Sequence, residues 1–319
     1  MDPAHFYAAS RVLIVAGKGG VGKTTVCAAL ARSASDTGRS VLIVRLIPGG
    51  ALPRLFASGP IVTGGTLLRA GSATTGEIRA RLVTPDEALL DYLADHGLQR
   101  ITRRLVSSGA LEVVTTAAPG IRDLLVLGRV KQLEQSRVAD LIIVDAPAAG
   151  HAVSFLRAPA GLRDAVTTGP IATQAVEVLD MLADPTRSSV LLVTLAEETP
   201  VNELIETAFA VEDEVGVQLG PVIINALADP IDGLQQDLPA LAADTDLDED
   251  LIAALAAAAD FRTRWVDQQR QQVERVRAQL PLPLITLPAR PTTDLGPADL
   301  DALAEALTAG VDRLGTAAP

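Results

Sequence analysis

Short, continuous apolar runs recur along the chain and are separated by longer stretches of helical character. They fall at Arg11–Ala16, Val41–Val44, Leu141–Val144, Val190–Leu195, Pro221–Asn225 and Leu284–Leu287. A run without polar alternation predicts a strand buried on both faces, as in a parallel sheet. Helices between such strands predict an α/β fold with a doubly wound, mostly parallel sheet. Ligands of such sheets bind beyond the carboxyl ends of the strands. A further short strand is predicted at Thr66–Ala70, within the Gly- and Thr-rich stretch Pro60–Gly76.

Two helices show their boundaries. Thr84-Pro85-Asp86-Glu87 supplies a hydroxyl cap, Pro at the first position and Glu at the third, which predicts a helix start. The apolar periodicity that follows predicts a helix running to a stop at Gly109. A long amphipathic helix is predicted over Leu247–Leu280, after the Asp- and Ala-rich segment 229–250, which reads as a solvated acidic loop. The chain thus reads as a single domain, 1–319, with 76–135 and 229–280 as helical subdomain segments packed on it.

Composition narrows the partners. Net charge is −12, which disfavours nucleic acid, whose binding draws on Lys and Arg. The densest basic cluster, Arg100, Arg103 and Arg104, reads as a solvated helix face. The one cysteine, Cys27, leaves no intrachain disulfide or zinc site and suits a reducing compartment. With a start that lacks the pattern of a secretory signal, a cytoplasmic location is expected.

The chemistry concentrates just after the first strand. Gly17-Lys18-Gly19-Gly20-Val21-Gly22-Lys23-Thr24 fits GxxxxGK[ST], between a strand and a helix, the context that this phosphate-binding motif requires. Backbone N–H groups from Gly17 to Gly22, Val21 included, can converge on phosphate oxygens. Lys23 is placed for the β- and γ-phosphates and Thr25 for the α-phosphate. ATP with Mg2+ is the expected ligand, with Thr24 and Asp145 as metal positions, Asp145 standing at the end of the strand Leu141–Val144. Ala146–His151 then reads as a sharp loop able to sense the γ-phosphate, with His151 a structural or switch residue.

KGGVGKT resembles the deviant Walker A signature shared by the ArsA, MinD, ParA and nitrogenase iron proteins. That resemblance implies a face-to-face dimer in which Lys18 reaches the partner's nucleotide, making Lys18, Lys23 and Asp145 the expected catalytic residues. DAPAAGH (Asp145–His151), VTLAEETPVNEL (Val193–Leu204) and APGIRDLLVLGRVKQL (Ala118–Leu133) are similar to segments of the ArsA family, and the resemblance is closest to actinobacterial members with paired, unequal subunits. It implies a SIMIBI-type P-loop fold, Asn225 reading adenine, Leu287 and Pro288 packing on it, and a homo- or heterodimer with a hydrophobic or membrane-protein client.

Departures from that family qualify these expectations. One cysteine provides neither an arsenite site nor a symmetric zinc-binding CxxC, and two methionines do not make a Met-rich client groove. Where the family reads STDPAH after the second strand, this chain reads Arg45-Leu46-Ile47-Pro48-Gly49-Gly50. Ile47 then stands in the place of the water-orienting aspartate, and an apolar side chain cannot position water. The expectation is ATP binding with impaired hydrolysis at the chain's own site. A non-hydrolysing regulatory or chaperone subunit is the alternative, ahead of a MinD- or ParA-like ATPase.

Overall fold

Residues 1–95, 97, 120–242 and 247–314 are described by the structure, a computed structural model. The strands are β1 (Val12–Gly17), β2 (Val41–Arg45), β3 (Thr66–Arg69), β4 (Ile78–Leu82), β5 (Leu141–Ala148), β6 (Ser188–Leu195), β7 (Val222–Leu227) and β8 (Leu284–Pro288). The helices are α1 (Pro3–Phe6), α2 (Lys23–Asp36), α3 (Leu52–Leu55), α4 (Pro85–Asp95), α5 (Ile121–Gln135), α6 (Ala149–Ala165), α7 (Pro170–Ala183), α8 (Glu198–Glu214), α9 (Leu238–Ala242), α10 (Glu249–Gln279) and α11 (Pro297–Leu314).

The strands form one sheet in the order β3-β4-β2-β5-β1-β6-β7-β8. Every pairing is parallel except β3 with β4. The chain leaves β1 for one half of the sheet and returns through β5 to the other half, so β1 lies at the topological switch. Side chains alternate across the sheet. Val12, Ile14, Val44, Ile142, Val144 and Leu192 face one core, with α5, α6, α7 and α8. Leu13, Val15, Ile43, Ile143 and Val193 face the other, with α2 and α11.

All six apolar runs are strands, which explains the near-complete burial of β1, β2 and β6. β4 is an additional strand. Its Ile-Arg-Ala-Arg-Leu alternation buries Ile78 and Ala80 and exposes Arg79, the pattern of a strand with one solvated face. A second correction concerns Ala146–His151: β5 continues through Ala148 and α6 begins at Ala149, so strand passes into helix without a separate loop.

α4 starts as its capping residues predict, with the Glu87 N–H donating to Thr84 Oγ1 at 3.3 Å. The predicted stop at Gly109 and the Arg100–Arg104 cluster lie outside the described residues. α10 begins one cap residue after Leu247, where Asp248 accepts from the Asp250 N–H. The helix α11 buries Leu300, Leu303, Leu307 and Val311 against α2 and β8. No helix among the described residues is long and apolar enough to cross a membrane.

Candidate nucleotide site

Three strand ends meet where the sequence places its chemistry: Gly17 ends β1, Arg45 ends β2, and Asp145 lies late in β5. The register puts Arg45 opposite Asp145 and Val15 opposite Asp145 on the other side. Gly17 is required by packing. A Cβ there would lie 2.2 Å from the Val193 carbonyl oxygen of β6.

The loop from Gly17 closes on the first turn of α2. Gly22 caps this helix at φ +87, in the left-handed region, where a side chain is strained. Lys23 Nζ donates to the carbonyls of Gly17 and Lys18, each at 2.9 Å. The ammonium therefore sits inside the loop, and burial lowers its pKa, partly offset by the charge of Asp145. A phosphate at the loop would restore the charge balance that burial disturbs.

A cleft of about 340 Å³ opens beside the loop, lined by Gly20, Gly22, Thr25, Asn225 and Pro288 among others. Asn225 has a positional task as well: its Nδ2 donates to the Val21 carbonyl at 2.9 Å. It thereby ties the end of β7 to the loop. Leu287 is 1% exposed and belongs to the core beneath the cleft, because alternation along β8 turns it away from its neighbour Pro288. Gly19 faces Ala148, the last residue of β5. Lys18 is ion-paired within the chain to Glu203 of α8, both side chains about one-third exposed.

Arg45 completes the site, and the sequence reading passed over it in favour of Ile47. Its side chain is 9% exposed and is ion-paired to the 5%-exposed Asp145. Nη1 also donates to Thr24 Oγ1 at 2.8 Å, and that hydroxyl donates to Asp145 Oδ2 at 2.7 Å. Nη2 donates to the carbonyls of Gly49 at 3.0 Å and Ile47 at 3.2 Å. The Ile47 side chain is 61% exposed. A visible signal did exist: VLIVR and LIIVD are apolar runs of equal length, one ending in a cation and the other in an anion.

The family described as Anion-transporting ATPase matches residues 10–177, which carry the loop, Arg45 and Asp145. ATPase BagA of Mycobacterium tuberculosis is 34% identical over 253 residues, covering 76% of this chain and 72% of the relative. The chain belongs to the ArsA ATPase family. ATPase GET3 of Pyricularia oryzae is 28% identical over 165 residues, 49% of this chain and 45% of the relative. Membership accounts for the nucleotide loop, the sheet and ATPase chemistry as a class.

ArsA-type chemistry implies a magnesium ion between the Thr24 hydroxyl and the Asp145 carboxylate, and this arrangement does not fit one there. Both groups are already bonded to the Arg45 guanidinium. Two unit charges 4 Å apart interact by about 4 kcal/mol at an effective dielectric of ~20, so the guanidinium would repel a divalent ion about as strongly as the carboxylate attracts it. The buried ion pair further holds Arg45 in place, since separating it leaves two uncompensated charges.

Proposed function

We propose that this chain is the ATP-binding subunit of a dimeric ArsA-family ATPase, with Lys18 acting across the interface and hydrolysis at its own site impaired. The observation that carries this reading is the end of β2. Where a water-orienting carboxylate would act, Ile47 turns its side chain to solvent and Arg45 occupies the interior. Asp145 is committed to Arg45 and is therefore a poor general base. Lys23 and the loop amides remain suited to bind the phosphates, with Thr25 at the α-phosphate and Asn225 and Pro288 beside the adenine.

A heterodimer with a related, hydrolysing subunit fits this division better than a homodimer. Lys18 would exchange Glu203 for the partner's phosphates, where a cation stabilises transferring charge. The client in this reading is a hydrophobic or membrane protein in the cytoplasm. It is supported by α10, which exposes Leu251, Leu255, Phe261 and Trp265. Helices α5 and α7, by contrast, bury most of their apolar residues in the core, Val176 apart. A second reading, a regulatory subunit that binds ATP without hydrolysing it in any assembly, is favoured by the committed Arg45–Asp145 pair.

Turnover of the reconstituted pair separates the two. Lys18→Ala in this chain should lower turnover of the mixed dimer by about 1,000-fold or more, the scale of a transition-state cation supplied in trans, and leave ATP binding intact. Unchanged turnover would favour the regulatory reading.

A further inference from the structure

We propose that Arg45 is the resident counter-ion of the bound triphosphate, so that this chain holds ATP without a divalent cation. The proposal rests on the reading of the loop as an ATP site, and assigns the cation that site uses.

The guanidinium spans the Thr24 hydroxyl and the Asp145 carboxylate, the two oxygens from which a metal would be held. Its position follows from the sheet, because the parallel register sets the end of β2 directly against Asp145. The following loop is shaped around it. Gly49 and Gly50 have φ of +78 and +94, and a Cβ on Gly50 would lie 2.7 Å from Arg45 Nη2. The loop turns its Ile47 and Gly49 carbonyls onto the same nitrogen. A side chain that merely filled space would not need four oxygen partners and two left-handed glycines.

One donor remains. Arg45 Nε is buried and has no hydrogen-bond partner among the described residues. An orphaned donor on a nine-tenths-buried cation is a cost that an anionic acceptor would remove. Guanidinium is suited to that acceptor, since it cannot be deprotonated and a charge-assisted N–H bond from Nε to a phosphate oxygen is a strong one. Lys23 in the same loop is the second cation, so two fixed cationic groups, one of them partly offset by Asp145, are at hand for the triphosphate, and neither is a metal.

The experiment is ATP titration of the purified full-length chain by calorimetry, in EDTA and in millimolar magnesium. The wild type is expected to bind with the same affinity in both. Arg45→Gln is expected to bind about tenfold or more weakly in EDTA, the loss of one charged hydrogen-bonding partner, and to recover in magnesium because Thr24 and Asp145 are released. The bound Mn2+ resonance with ATP should appear in Arg45→Gln and be absent from the wild type. Wild-type binding that tightens tenfold or more with magnesium, or a wild-type bound-Mn2+ signal, would overturn the role of Arg45 and leave the ATP site standing. Absence of ATP binding by the folded wild type in both buffers would overturn the ATP reading and this proposal with it. Where Arg45→Gln does not fold, the two wild-type measurements decide.

Discussion

Gly22 is where the loop, α2 and β7 meet. Its φ of +87 sets the chain into the helix, and a Cβ there would lie 2.3 Å from Asn225 Nδ2. Gly22→Ala should therefore displace Asn225 from Val21 and cost about 1–3 kcal/mol in stability, with a matching drop in ATP affinity; thermal melts and calorimetry would register both. Cys27, five residues on, is wholly buried, and burial raises its thiol well above its ordinary 9.0. A native-state thiol reagent should leave it unlabelled until the chain unfolds. The folded state favours the protonated thiol, so its contribution is full below 9.0 and falls as pH rises above it. The buried Tyr7 hydroxyl, also raised by burial, acts in the same direction at higher pH. Urea midpoints across that range should decline, and a rise would contradict the assignment.

At the scale of elements, the sheet is held from the end opposite to the nucleotide. Glu134 near the end of α5 is 4% exposed and pairs with Arg11 at 3.0 Å and Arg187 at 2.7 Å, just ahead of β1 and β6. Glu134→Ala should cost about 2–4 kcal/mol, at or below the range for a broken buried pair because both arginines reach solvent. It should not change ATP affinity, since the site lies at the other strand ends; denaturant melts and calorimetry together test this. Elements were legible where burial was two-sided, because six continuous apolar runs can be little else in an α/β chain. β4 was missed, because its Arg79 and Arg81 break the continuous run that marked the others and leave only a short alternation, which its pairing with β2 and β3 makes plain. The Asp145 segment was legible as strand and carboxylate. Its direct passage into α6 was not, because a Pro-Ala-Ala-Gly composition reads equally as a turn.

The molecule as a whole divides into a half whose chemistry shows in the sequence and a half that emerges only on folding. The loop Gly17–Thr25 is local, and its spacing alone announces a phosphate site. Arg45 and Asp145 are separated by 100 residues, so their pairing depends on the strand order β2-β5-β1, which no local pattern encodes. The Lys18–Glu203 pair has the same origin, linking the loop after β1 to α8, which follows the neighbouring strand β6. These long-range pairs separate two properties that the motif alone would merge: the capacity to bind ATP, and the capacity to hydrolyse it. Alone, this chain is expected to have the first and lack the second. Single-site turnover of the purified chain with saturating ATP, beside Lys23→Ala, tests it most directly. Turnover at background in both proteins is the expected result; robust hydrolysis by the isolated chain, lost in Lys23→Ala, would overturn it.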